Sequence, residues 1–488
     1  MRCLSIKAGM DLRELLDRLY ELLTRRYLST SMLEPVRKWC EAGHPVSDVE
    51  VLALTAALYD FQMRVATIKK NFSLLLEYLS SKGLAFRDLS SPDVSGEAVE
   101  FTRKRNVGFF HRFDKYGLAL PIIVGAACEL GLRGAAQRAA GEARKRLGGG
   151  RDAFLGLAVA REVLAGLWGT ETVRKALRRG DPASKALNLI LPRPSSRSSL
   201  KRLNLFLRWV VRGEYPDLGL WGFISQRELV VPLDSSIARV CGRLVVGKPL
   251  RPSKLSSLRI IMRFLREVNE EDPVKYDFIL SRPAILGWCK KDLLQSDCDV
   301  CPLRPYCRAT NTRVSAAARA SGVRGEGPEH REGKLLTLTA VRAGFVVKEV
   351  STGAGLKCWR ERTINHGLRP DIYCENDAVI VGEVKVLKKT PKTPSEIEGI
   401  TQAIRYYKHV THELRGNRPA IAVLAYYTPK KHLQVPEEVC GTLKEALALT
   451  LTHEAPKQGS TAAKGGVIVL EIRPGGHVRN VCHEPIQA

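Results

Sequence analysis

The chain has 488 residues, 44% of them apolar, and carries 77 Lys and Arg against 51 Asp and Glu, a formal net charge of +26. That length exceeds one ordinary hydrophobic core and points to several domains. No run of about 18 apolar residues exists to span a membrane, and so large a basic excess favours a polyanionic partner, nucleic acid first.

Taken in chain order, the start MRCLSIKAGMDLRELLDRLYELL goes directly into an amphipathic helix. It lacks the apolar stretch and small-residue cleavage site of a signal peptide, so an intracellular protein is expected. Asp48 and Glu50 open a long apolar segment that reads as mostly buried helix with a bend midway. Helical spacing continues to about residue 180, broken at Gly148-Gly149-Gly150. Asp181-Pro182 then starts another helix, because proline suits the first helical position.

Three features precede residue 310. In LPRPSSRSSLKRLNLFLRWVVR, serines stand at a helix start, and Lys201, Arg208 and Arg212 fall on one face, an arrangement suited to DNA phosphate. In VVPLDSSIARVCGRL, Asp234 sits at a helix N-cap, where an aspartate ordinarily satisfies backbone donors. Last comes CKKDLLQSDCDVCPLRPYC, with Cys289, Cys298, Cys301 and Cys307 spaced C-x8-C-x2-C-x5-C. Only these four of the twelve cysteines cluster tightly, which reads as one metal site and scattered core thiols, Cys358, Cys374 and Cys440 among the latter. Four thiolates suit either structural zinc or an iron-sulfur cluster.

In this order the three features resemble the helix-hairpin-helix DNA glycosylase superfamily that ends in an iron-sulfur knot. VPLDSSIARVCGRL corresponds to its aspartate segment, with Arg239 and Arg243 in register, and DCDVCPLRPYC to the end of its knot. The departures are plain. Arg193-Pro194-Ser195-Ser196 replaces the hairpin glycines, Ser235 and Ser236 replace a threonine and a histidine, and the first cysteine gap is eight residues rather than six. They bear on base excision more than on fold. The resemblance implies an all-α first domain over residues 1–308 with a [4Fe-4S] cluster on the four cysteines, structural Zn2+ being the alternative. It makes Asp234 the residue for any glycosylase chemistry and places Lys201 near the Schiff-base lysine of bifunctional members. Arg239, Lys290, Lys291, Arg304 and Arg308 would join Lys201, Arg208 and Arg212 in facing DNA.

Residues 309–328 are small, polar and basic and read as a linker. Beyond them the period changes: FVVKEV, DIYC, AVIVGEVKV, AIAVLAYY and GVIVLEI are strand-like, separated by helices near 394–414 and 436–450. Glu383 and Lys385 stand two apart in one strand and therefore share a face. Asp371, opening the neighbouring strand, can approach them. Two carboxylates beside a lysine suit a hard divalent cation and phosphate chemistry. The set resembles the PD-(D/E)xK nuclease superfamily, through Pro370-Asp371 and Glu383-Val384-Lys385, and its RecB-like branch through Gln402 and Tyr406 in GITQAIRYYK. That resemblance implies an α/β restriction-endonuclease-like domain over 329–488 with a central mixed sheet, using Mg2+ or Mn2+. It also implies an upstream acid, Glu332, with Glu329 and His330 as alternatives. The combined expectation is a DNA-processing, repair-type nuclease, RNA remaining open as substrate. A metal-independent glycosylase or lyase using Asp234, and a non-catalytic DNA-binding scaffold, are the rivals.

Overall fold

The computed structural model describes residues 11–61, 64–105, 117–147, 154–193 and 198–310, and, further on, 357–360, 370–375, 379–386, 397, 399–413, 420–427, 435–436, 438–451, 465–472 and 478–486. The layout is helix-rich first and α/β afterwards. The helices run α1 (Leu12–Thr30), α2 (Leu33–Glu41), α3 (Val46–Leu58), α4 (Val65–Lys82), α5 (Pro92–Arg105), α6 (Leu120–Leu130), α7 (Leu132–Leu147) and α8 (Leu155–Gly169). They continue as α9 (Glu171–Arg179), α10 (Pro182–Ile190), α11 (Lys201–Val211), α12 (Ser235–Val246), α13 (Leu255–Val268) and α14 (Asp277–Ile285). The C-terminal part holds β1 (Lys357–Arg360), β2 (Ile372–Glu375), β3 (Val379–Val386), α15 (Ile400–Glu413), β4 (Ala420–Tyr427), α16 (Glu438–Leu451), β5 (Gly465–Ile472) and β6 (Val478–Ile486). Among the described residues no helix is long and apolar enough to cross a membrane.

Two compact units divide the chain, one of residues 23–242 and 250–279, the other of residues 1–22, 243–249 and 280–488. The sequence reading drew its boundary after Arg308. The division instead groups the cysteine loop with the sheet, and the expected linker beyond residue 310 lies outside the described residues.

In the helical unit, the segment read as one bent helix is two, α3 and α4. α3 is apolar on nearly every face and is buried from Asp48 to Leu58, Leu52, Leu54, Ala56 and Leu58 completely. A helix buried all round must neutralise its polar groups locally. Asp48 does so by accepting from Trp39 Nε1 at 2.8 Å, Phe86 N at 3.0 Å and Arg87 N at 2.8 Å. Glu50 accepts from Trp221 Nε1 at 2.8 Å and from Arg133 Nε at 2.8 Å. At α10, Asp181 caps Ser184 N at 2.8 Å with Pro182 in the first turn, as the dipeptide predicts.

The six strands lie in sequence order β1-β2-β3-β4-β5-β6, with β3-β4 and β4-β5 parallel and the other pairs antiparallel. Both parallel steps cross over through a helix, α15 and then α16. β3 is buried on both faces. Ile380 and Val384 pack with Ile372, Cys374, Val423, Ala425 and Leu470, while Val379, Val381 and Glu383 are buried on the other face. Gly382 is fixed by closeness: a Cβ there would stand 2.8 Å from the Val423 side chain and carbonyl. Cys374 and Cys440, expected as core thiols, are buried and disulfide-bonded. β1 and β6 went unread in the sequence, and FVVKEV lies outside the described residues.

Candidate active site and cysteine loop

Register places the carboxylates together. Ile372 pairs with Gly382 and Tyr373 with Val381, so one further step sets Asp371 opposite Glu383. The Val384 N–H donates to Asp371 Oδ2 at 2.7 Å, which pins that carboxylate to the rim of β3. Lys385 Nζ lies 2.6 Å from Glu383 Oε1; the Glu383 side chain is 5% exposed and that of Lys385 27%. Burial pushes the Glu383 carboxyl up to about 7, and the Asp371 charge pushes it the same way. Lys385 and the Tyr406 hydroxyl act against both but do not cancel them. Tyr406 is itself raised, first by burial and then by the charges of Glu383 and Asp371.

The Glu383 Oε2 atom is buried with no hydrogen-bond partner among the described residues. A buried carboxylate oxygen left in this state costs free energy. Its neighbours Asp371 and Lys385 are the ones a cation-dependent phosphate site would need. A hard oxygen donor of this kind fits Mg2+ or Mn2+.

Gly399 was not singled out from sequence. With φ of +91° it turns the chain into α15, and a Cβ there would stand 2.8 Å from Leu424 Cδ1, 3.0 Å from Lys385 Cγ and 3.5 Å from Glu383 Cγ. A glycine inside the helix expected near 394–414 was the available signal. Gln402 is half-buried on the same helix, one turn before Tyr406. Glu332, Glu329 and His330 lie outside the described residues.

The cysteine loop follows α14. Burial pushes the Cys301 thiol far up, and charge on Cys289, Cys307 or Cys298 would push it further, so the four sulfurs are electrostatic neighbours. Among the described residues no group of three or more His, Cys, Asp or Glu side chains is drawn tight enough to ligate an ion. Soft sulfur donors beside a cation fit zinc or an iron-sulfur cluster. That cation is Arg243, which donates to Cys289 Sγ at 3.0 Å, Ser296 Oγ at 3.2 Å and the Lys291 carbonyl at 2.9 Å. Lys290, Lys291, Arg304 and Arg308 are exposed, and Lys290 Nζ lies 3.1 Å from Asp297.

Two of the expected DNA-facing cations are corrected. Arg208 and Arg212 are 0% exposed. Arg212 bonds Asp272 Oδ2 through Nε at 2.9 Å and Nη2 at 2.6 Å and also meets Asp217. Arg208 lies 3.4 Å from Asp277 and 3.5 Å from Asp217 and donates to Tyr27 Oη at 2.7 Å. Helix α11 is apolar on both flanks of these arginines, so folding spends them on buried carboxylates and leaves nothing for phosphate. Burial nonetheless pushes Asp277 up to about 6, against the pull of Arg208. Lys201 pairs with Asp60 and keeps about a third of its side chain exposed. Arg239 is half-buried. Asp234 Oδ1 accepts from Ser236 N at 2.9 Å and Ile237 N at 2.8 Å, an N-cap for α12.

Comparison with known proteins yields one result. The model of a family described as a protein of unknown function (DUF2400) matches residues 143–286. No curated protein and no solved structure matches the chain.

Proposed function

We propose that the protein is a DNA-processing enzyme that hydrolyses phosphodiester bonds at Asp371, Glu383 and Lys385. The observation that carries this reading is the buried Oε2 of Glu383, unpartnered among the described residues, on a carboxylate that stands beside Asp371 and whose Oε1 lies 2.6 Å from Lys385 Nζ. Asp371 and Glu383 are the residues to hold Mg2+ or Mn2+, with Glu332 as a third acid. When bound, such an ion supplies Lewis-acid polarisation of a phosphate oxygen and a more acidic water. Lys385, partly exposed, steadies negative charge developing on the phosphate, and Tyr406 orients Glu383. The net charge of +26 supports a polyanionic substrate. The exposed Lys290, Lys291, Arg304 and Arg308 are the cations proposed to meet it. The four cysteines are proposed to hold a [4Fe-4S] cluster, with Zn2+ as the alternative. The whole is read as a repair-type nuclease whose helical unit recognises DNA.

The experiment incubates labelled duplexes bearing uracil, oxidised bases, abasic sites, flaps or mismatches with Mg2+, Mn2+ or EDTA. Cleavage in Mg2+ that disappears in Lys385→Ala is expected. Alkali-labile sites formed in EDTA and lost in Asp234→Asn would instead assign a glycosylase. Binding without product in either buffer would leave a scaffold.

A further inference from the structure

The helix that backs the carboxylate site is tied to the cysteine loop by the side chain of Arg405. Arg405 of α15 donates from Nε to Asp299 Oδ2 at 2.5 Å and from Nη2 to Asp299 Oδ1 at 2.9 Å and Asp297 Oδ1 at 3.2 Å. Asp297 and Asp299 flank Cys298, so the path of the chain through that cysteine decides where both carboxylates stand. The fork-to-carboxylate geometry fixes direction as well as distance. The loop is fastened at two further points. Thr450 Oγ1 of α16 donates to the Val300 carbonyl at 3.2 Å. Just ahead of the loop, Arg282 Nε lies 3.0 Å from Glu445 Oε1 of α16, with both side chains largely buried.

On its other side α15 meets the site. Tyr406, the residue after Arg405, sets its hydroxyl against Glu383. Gly399, at the head of the same helix, rests on the stems of Lys385 and Glu383. One rigid helix therefore carries consecutive residues that touch the loop and the carboxylates.

We propose that Arg405 is a positioning residue, and that the four-cysteine loop, once closed by its metal, acts through it to brace α15 against Glu383 and Lys385. This rests on the reading of Asp371, Glu383 and Lys385 as a cation site. Because Asp297 and Asp299 flank Cys298, a metal held by that sulfur would fix both carboxylates that Arg405 grips. Metal in the loop and metal at the carboxylates then favour one another through α15, a coupling reciprocal by thermodynamic necessity. The clamp is partly exposed, Arg405 at 36% and Asp299 at 47%, so its effect is graded rather than all-or-none.

The test uses the full chain purified without oxygen, as wild type, Arg405→Ala, Arg405→Lys, Asp299→Asn and Cys298→Ser. Three readouts are taken: iron and zinc content, hydrogen exchange across residues 400–413, and Mn2+ affinity by electron paramagnetic resonance. Arg405→Ala and Asp299→Asn are expected to keep the loop metal. They speed exchange in the first turns of α15 by about tenfold and weaken Mn2+ binding roughly fivefold, in line with a coupling of about 1 kcal/mol. Arg405→Lys recovers part of both effects. Cys298→Ser, short of loop metal, reproduces them, and adding Arg405→Ala to it changes nothing more. Unchanged α15 exchange in Arg405→Ala overturns the brace, as does a wild-type loop without metal, or effects of the two substitutions that simply add. A wild type that fails to bind Mn2+ overturns the carboxylate reading instead, and α15 exchange still decides whether the loop holds the helix.

Discussion

Two buried charge clusters among the described residues are built on opposite terms. In the helical unit, Arg208 and Arg212 meet Asp217, Asp272 and Asp277, and the cluster is sealed from water. In the sheet unit, Glu383 is as buried as those residues, but its lysine is partly exposed and so reaches solvent. A closed cluster uses its charges on one another and serves the fold. An open one keeps a charged group within reach of solvent and of a ligand, a state that favours function over stability.

That contrast can be broken most forcefully at Arg212. Arg212→Ala leaves Asp272 buried without the cation it bonds, and Asp217 with Arg208 but not Arg212, and is expected to cost roughly 3–5 kcal/mol. Denaturant titration reads this, and a loss under about 1 kcal/mol would place the arginine outside the fold's essential charges. Next is Lys385→Ala, expected to lower the cleavage rate about 10²- to 10³-fold with little change in unfolding midpoint. A large drop in midpoint would return the lysine to a structural role.

A smaller effect sharpens the comparison through pH. Asp371, Lys385 and Tyr406 face Glu383, and burial places its carboxyl at about 7, above its ordinary range. The folded chain thus holds this proton more tightly than the unfolded chain, so the stability contributed falls as pH rises from the ordinary carboxylate range through 7. Cation binding displaces the same proton. Mn2+ affinity should rise about tenfold per pH unit below 7 and level off above it. Calorimetric titrations at several pH values check this, and a flat profile from pH 5.5 to 8, about a thirtyfold rise short, would count against it. Glu383→Gln should remove the dependence without lowering stability at neutral pH. The smallest effect belongs to Asp234→Ala, about 1 kcal/mol for a lost N-cap, with Mg2+-dependent cleavage unchanged.

Much of the sheet unit was legible because its rules are local. Period-two alternation in AVIVGEVKV sets Glu383 and Lys385 on one face, and the structure places them within 2.6 Å. The four-residue step from Gln402 to Tyr406 likewise puts both on one face of α15. The arginines of α11 were misjudged because their spacing was read as a solvated stripe. The flanking Leu205, Phe206, Leu207, Trp209, Val210 and Val211 are buried with them, and the helix is buried from Leu203 to Val211. Their partners Asp272 and Asp277 lie some sixty residues on, a pairing that only tertiary packing decides. Arg405 was unreadable for the same reason, since Asp297 and Asp299 lie more than a hundred residues upstream.

The most direct test of the open cluster is a Mn2+ titration followed by electron paramagnetic resonance, comparing wild type with the Asp371→Asn/Glu383→Gln double variant near pH 8. The wild type is predicted to bind Mn2+ at a site that the double variant lacks, with both proteins equally folded. Equal Mn2+ binding by the two would contradict the assignment of Asp371 and Glu383 as the cation site.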